Sequence, residues 1–353
     1  MQRSLLLFEN AIKTEASYQT YKYGLDKFKD TFKLKDYDSI LKIEDKKLQE
    51  MVEDYIIMLK KGNPNSVRSL YSGLELFIVI NDKTLNWKKI RKFFPAMEKR
   101  TGKDAWDSSS INKMLQVEKS KRNRAFVHFL ASTGCRVGAL PDLRLKHVKD
   151  MDLGCKAVLI YADSVEEYWV FLTPEASKSL EDYLNERTED GERIDVNSPL
   201  FRKQYQFGTQ EALPMTLWAM KAIVPKLVKS AKIRREQQGE RYNIQADHGF
   251  RKRFNTILKK RKDKDVPWAI TERLMGHRSD LDASYLSISK EELFEYFKIA
   301  IPDLVVMESE RLRLDIELKE KKIQELQSDK KRITDLEASL KHIQDLVEHK
   351  SIN

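Results

Sequence analysis

A chain of 353 residues is long enough for two or three domains with buried cores. Its mean hydropathy is −0.59, and no run approaches the roughly 18 apolar residues a membrane-crossing helix needs, which excludes a transmembrane helix. Lys and Arg number 65 against 55 Asp and Glu, a formal net charge of +10.

That charge is unevenly placed. Residues 307–353 hold 10 Lys/Arg and 11 Asp/Glu, leaving 55 against 44 on the rest of the chain. A basic body with a neutral tail points to a polyanion, DNA or RNA, as the partner of the body, although many basic soluble proteins bind no nucleic acid. The two cysteines, Cys135 and Cys155, offer no metal-ligand spacing. They fit a reducing cytoplasm, with neither a zinc site nor a disulfide framework expected. At the start, MQRSLLLFEN has a short apolar run that meets Glu9 at once, so a signal peptide is not expected.

Residues 1–97 read as a small helical domain. Tyr18, Tyr21, Leu25, Phe28 and Phe32 recur at three- and four-residue steps, one apolar stripe behind a Ser17 cap. Leu48, Val52, Tyr55 and Leu59 form a second stripe closed by Gly62, and Val67, Leu70, Leu74 and Phe77 a third, opened by NPNS. These aromatic stripes read as core, with lysines on the polar faces. Residues 98–108, within MEKRTGKDAWDSSS, are polar and turn-rich and read as a linker.

Residues 109–306 read as a second domain. The helical stretches SINKMLQ and NRAFVHFLAS lead into TGCRVGAL. AVLIYA and YWVFLT, joined by DSVEE, predict a β-hairpin. PEASKSLEDYL predicts a helix opened by proline, LPMTLWAMKAIVPKLVKSAKIRR a basic helical stretch interrupted at Pro225, and HGFRKRFNTILKKRKD a further basic helix. The fold class is therefore mainly α with a small antiparallel β-sheet (α+β). Residues 307–353 form a tail in which Leu312, Leu326, Ile333, Leu340 and Val347 keep one seven-residue register, broken by Lys319. Ile316 and Ile323 share the partner position, while Leu336 and Ile343 shift the seam by one. A short, imperfect coiled coil is expected, with a solvated single helix as the alternative.

Three islands in the second domain carry chemistry together. Arg136 follows a glycine that ends the helix before it. His248 and Arg251, in HGFR, lie three residues apart, which on a helix places them about 60° from each other on one face. MGHRSDLDASY then brings His277 and Tyr285. Singly, each has an ordinary surface or capping reading. Jointly, two arginines, two histidines and a tyrosine suit attack on a phosphodiester. Guanidinium groups grip nonbridging oxygens, an imidazole moves the phenol proton, and the phenolate forms a covalent ester.

In this order the islands resemble the signature of the tyrosine recombinases, the phage-integrase family. The wording is closest to archaeal integrases in HGFRKRFN, LMGH and the DASY segment followed by EELFEYF. The resemblance covers about residues 105–300 by motif, and the N-terminal domain matches the family's core-binding domain in layout only. It implies a core-binding domain and a catalytic domain that close on duplex DNA as a C-shaped clamp. Tyr285 would be the nucleophile of a 3′-phosphotyrosyl bond that releases a 5′-hydroxyl. Arg136 and Arg251 would grip the phosphate, His248 would act as acid and base, and His277 would hydrogen-bond a nonbridging oxygen. The implied partners are double-stranded DNA and further copies of the chain on paired sites. No membrane, metal, ATP or other cofactor is expected, and the setting is cytoplasmic and nucleoid-associated.

Two positions depart from the family. Ala139 stands where an acidic residue usually follows the first arginine, and the hairpin turn has Val165 where a catalytic lysine is expected. The nearest lysine in sequence is Lys156, at the start of the first strand. A substitute lysine is the expectation. The rivals are a catalytically impaired DNA-binding protein on the same fold and a relaxing topoisomerase of similar chemistry.

Overall fold

The computed structural model describes residues 2–96, 102, 104–204, 212–238, 241–260, 266–277 and 288–350. Two compact units divide the chain, residues 1–100 and 101–353. The first unit is helical: α1 (Arg3–Asn10), α2 (Glu15–Thr31), α3 (Asp38–Leu41), α4 (Asp45–Lys60), α5 (Val67–Ile80) and α6 (Trp87–Arg91). The three stripes pack on one another, with Leu25, Phe28, Leu48, Val52, Tyr55, Leu74 and Phe77 fully buried. The α2 helix begins earlier than its sequence suggested. Thr14 is its cap, accepting from the Ser17 amide, so Ser17 lies inside the first turn. The α2 and α5 backbones meet where side chains are missing, because a Cβ on Gly73 would stand 2.1 Å from the Tyr21 carbonyl oxygen.

The second unit contains α7 (Ser108–Val117), α8 (Lys121–Thr133), β1 (Val148–Asp150), β2 (Lys156–Ile160), β3 (Tyr168–Leu172), α9 (Pro174–Glu189) and α10 (Leu217–Ser230). A short pair, β4 (Gln237–Gln238) and β5 (Arg241–Tyr242), precedes α11 (Ala246–Lys260), α12 (Trp268–Leu274), α13 (Lys290–Leu304) and α14 (Glu308–Lys350). The expected hairpin is present as β2 and β3, and β1 adds an antiparallel third strand with β2 in the centre. Past Lys156 the hairpin strands are apolar or aromatic because both faces are covered. Alternation sends Val158, Ile160, Val170 and Leu172 into one core with α8 and α10, and Ala157 and Phe171 into another with Phe254, Phe294 and Phe297. Two buried cores thus meet across a single small sheet.

Pro225 does not end α10, which runs on to Ser230. The ring costs one ladder bond: it has no amide hydrogen to offer the carbonyl of Lys221, four residues earlier. Tertiary packing outweighs that loss, since Met220, Ile223, Val224, Leu227 and Val228 are all buried. Trp106, within the turn-rich stretch before α7, is 1% exposed and donates its indole N–H to the Ala246 carbonyl at 2.7 Å. It packs against Phe250 and fixes the start of α11.

Two clasps fix the junction of α13 and α14. Arg253, on α11, is 4% exposed and donates to the carbonyls of Asp303 at 2.9 Å and Leu304 at 3.1 Å. Glu175, at the start of α9, accepts from the amides of Val306 at 2.8 Å and Met307 at 3.2 Å. Beyond it α14 is a single long helix whose Leu312, Ile316, Ile323, Leu326, Ile333 and Leu336 face solvent. Among the described residues no helix is long and apolar enough to cross a membrane.

Candidate active site

Arg136 is placed by the end of α8. Gly134 caps that helix at φ +56°, donating its amide to the Leu130 carbonyl at 3.0 Å. A Cβ there would lie 2.5 Å from Cβ of Phe254, so the same glycine lets α8 and α11 close up. The chain then turns outward, and Arg136 stands exposed ahead of a 3₁₀ turn over Val137–Asp142.

The helix α11 supplies His248 and Arg251. Arg251 is only 6% exposed, and burial lowers the pKa of its guanidinium, with Arg136 adding to the effect. It donates to the carbonyls of Gly134 at 2.9 Å and Met275 at 2.6 Å, so it ties together the segments carrying Arg136 and His277. His248 opens to solvent. Its pKa is pushed down, first by desolvation and then by the cations Lys252, Arg251 and Arg136. Such an imidazole is neutral near pH 7 and ready to accept a proton.

His277 follows α12 through Gly276, whose φ is +60°. A Cβ at Gly276 would stand 2.4 Å from the ring of Tyr168 on β3, so only glycine brings this segment onto the sheet. The His277 ring is held from both sides. Nε2 lies 2.9 Å from the Arg251 guanidinium, and Nδ1 lies 2.6 Å from the Glu272 carboxylate. Arg251 has only hydrogens to give, so Nε2 accepts and Nδ1 donates to Glu272.

These residues edge two clefts that share Arg136. One, of about 340 Å³, is lined by Arg136, Lys221, Asp247, His248 and Arg251. The other, of about 600 Å³, is lined by Arg136, Glu166, Glu167, Tyr168, Arg273 and His277. Two guanidinium groups with imidazoles on either side form a receptor for a tetrahedral oxyanion. Of the five residues expected from sequence, four are brought together: Arg136, His248, Arg251 and His277. The fifth, Tyr285, lies outside the described residues.

The model of the phage integrase family matches residues 104–285. The chain belongs to the phage integrase family. Tyrosine recombinase XerC of Treponema denticola is 28% identical over 193 residues, 51% of this chain and 56% of that protein, so the match spans little more than half of the relative. The site-specific recombinase XerH, bound to its difH substrate, aligns with a TM-score of 0.47 at 19% identity, over 65% of this chain and 64% of that one. A lambda integrase dimer bound to a COC′ core site aligns with a TM-score of 0.45 at 15% identity, over 76% and 80% of the two chains.

Arg136, His248, Arg251, His277 and Tyr285 all fall inside the span that matches the phage integrase family, and the first helical unit lies outside it. Val165, where the family's lysine is expected, is 78% exposed, and the turn offers the cleft Glu166 and Glu167 instead. Lys156 is no substitute by position. It pairs with Leu172 at the end of the hairpin away from the turn, about 13 Å along the strand from Ile160. Its ammonium is held by Asp150 at 2.6 Å and Glu181 at 2.9 Å.

Sequence reasoning missed Lys221, Asp247 and Glu272. Asp247 precedes His248 directly and Glu272 lies five residues before His277, so each was in view beside an island. Lys221 had no such signal, because only the packing of α10 brings it to the cleft.

Proposed function

We propose that this chain cleaves and rejoins DNA strands as a site-specific recombinase, through a 3′-phosphotyrosyl intermediate formed by Tyr285. The observation that carries the reading is the meeting of Arg136, His248, Arg251 and His277 on two clefts with Arg136 common to both. Arg136 and Arg251 hold the nonbridging oxygens of the scissile phosphate and offset the charge that builds up on them. His248 takes the phenol proton as Tyr285 attacks. Once Arg251 has moved from His277 to the anion, the freed Nε2 takes up a proton and donates it in a hydrogen bond to a nonbridging oxygen, while Nδ1 keeps its bond to Glu272. The energy of the broken phosphodiester is kept in the tyrosyl ester, so rejoining draws on no nucleotide hydrolysis.

The partner is double-stranded DNA. The excess of positive charge on the body suits phosphate contacts made irrespective of sequence. Residues 1–97 serve as a second DNA-binding domain, residues 98–108 as the linker and residues 109–306 as the catalytic domain. Exchange of strands needs two sites held at once, so copies of the chain assemble on paired DNA, with residues 307–353 pairing between them. The protein acts in the cytoplasm on the nucleoid.

A second reading, a DNA-binding protein impaired in catalysis, is favoured by one observation: the hairpin turn carries Val165, Glu166 and Glu167 and no lysine. Nicked duplexes tiled across the DNA flanking the gene separate the two. The recombinase reading expects a covalent adduct on a denaturing gel, lost in Tyr285→Phe while DNA affinity stays within a few fold. Binding with no adduct from any duplex would leave only the second reading.

A further inference from the structure

When a phosphodiester is attacked, the departing 5′-oxygen has to be protonated, and the hairpin has nothing to do it with. No lysine occurs between residues 157 and 177. Lys156 is tied to two carboxylates at the wrong end of the strand. The cleft that holds Arg136, His248 and Arg251 nevertheless has a lysine in its wall, Lys221 of α10. Its side chain is exposed, and among the described residues no hydrogen bond or ion pair ties its ammonium down. The backbone beneath it is also unusual, since Pro225 leaves the Lys221 carbonyl without its helical donor.

We propose that Lys221 is the general acid of the cleavage step, giving a proton to the 5′-oxygen from the cleft that the hairpin does not line. The proposal rests on the recombinase reading above. In the step, the Tyr285 oxygen bonds to phosphorus while the bond from phosphorus to the 5′-oxygen breaks. The electron pair of that bond stays on the 5′-oxygen, which takes a proton from the Lys221 ammonium. The phenol proton goes to His248. The products are a 3′-phosphotyrosyl ester, a free 5′-hydroxyl, a neutral Lys221 amine and a protonated His248. Rejoining runs backwards: the amine takes the proton of the attacking hydroxyl, and His248 returns its own to the leaving phenolate.

A neighbour in the same cleft supports this assignment. Asp247 has a carboxylate oxygen, Oδ1, that is buried without a hydrogen-bond partner. Burial pushes its pKa up to about 6, while the positive charge of Lys221 pulls it back down. Near neutral pH the site therefore holds an ammonium and a carboxylate next to the phosphate grip. A protonated Asp247 is the rival donor, and Lys252, which bears on His248 from α11, is a second.

Replacing the bridging 5′-oxygen by sulfur separates these candidates, because a thiolate leaves without a proton. Covalent adduct formation is measured on ordinary and 5′-phosphorothiolate duplexes at the cleavage site found with the unaltered protein. Lys221→Ala is expected to slow ordinary cleavage by about 10²–10⁴-fold and to recover to within a few fold of the unaltered protein on the sulfur substrate. Lys156→Ala is expected to behave as the unaltered protein on both. The proposal is overturned if Lys221→Ala cleaves ordinary DNA normally, or is equally slow on both substrates. It is also overturned if sulfur rescue belongs to Asp247→Asn or Lys252→Ala instead. A full-length protein that forms no adduct with either substrate overturns the recombinase reading itself, and is told apart because the defect then precedes any substitution.

Discussion

Glu272 holds His277 through a contact of 2.6 Å between its carboxylate and Nδ1. The contact fixes which ring nitrogen faces the phosphate, since Nε2 is left to point at Arg251. Glu272→Ala frees the ring, and small misplacements of a catalytic group are costly. Cleavage is expected to fall by about ten- to a hundredfold, with DNA affinity little changed. Glu272→Gln keeps an oxygen acceptor and should retain most of the rate. Equal loss in both variants would show that charge and not orientation is what Glu272 supplies.

The hairpin turn sets two carboxylates, Glu166 and Glu167, on the cleft beside Arg136. A DNA phosphate entering there meets like charge. The double change to Gln is expected to tighten binding, by roughly 1 kcal/mol or fivefold at low salt, with a smaller gain in high salt. Fluorescence anisotropy at two ionic strengths measures it. Unchanged or weaker binding would mean that these carboxylates do not face the DNA.

Binding carried by phosphate contacts from the body should fall about a thousandfold between 50 and 200 mM salt, for about six contacts. Removing residues 307–353, where acidic and basic groups nearly balance, should leave that slope alone. A slope that collapses on truncation would place the contacts in the tail. Sedimentation of the truncated chain tests the pairing of α14 separately, with weaker self-association as the expected result.

His128 is 4% exposed, and desolvation brings its pKa down to about 4. In the unfolded chain the ring titrates near the ordinary value of 6.5. The folded pKa is the lower of the two, so its contribution to stability is complete above about pH 6.5 and is lost as pH falls through 4. The full span amounts to on the order of 3 kcal/mol. Denaturant melts at pH 7 and pH 4.5 should show the loss, and His128→Gln should flatten it. A stability independent of pH over that interval would contradict the burial of the ring.

Much of this was legible in the sequence, and what was not has a physical reason. The helical stripes, the hairpin and the three islands declared themselves through spacing and residue type. Four of the five expected site residues meet because Gly134 and Gly276, both visible beside their islands, let segments approach that a Cβ would hold apart. Serine suits a cap and Ser17 precedes the stripe, but Thr14 suits the role as well and lies at the real boundary. Pro225 reads locally as a break, and the five buried side chains that carry α10 past it are a tertiary fact. Lys221 belongs to the same class. Its neighbours in space, Asp247 and Arg136, are 26 and 85 residues away in sequence, and nothing periodic connects them.

The clasps at the α13–α14 junction turn the long helix into a lever. At 1.5 Å per residue its 43 residues reach about 65 Å from the fulcrum, so a tilt of about 5° moves the far tip by roughly 6 Å. Read in the other direction, a pull at the tip arrives at the fulcrum with its travel divided and its force multiplied. There the junction is gripped by Arg253, two residues along α11 from the arginine that holds Met275 and the ring of His277.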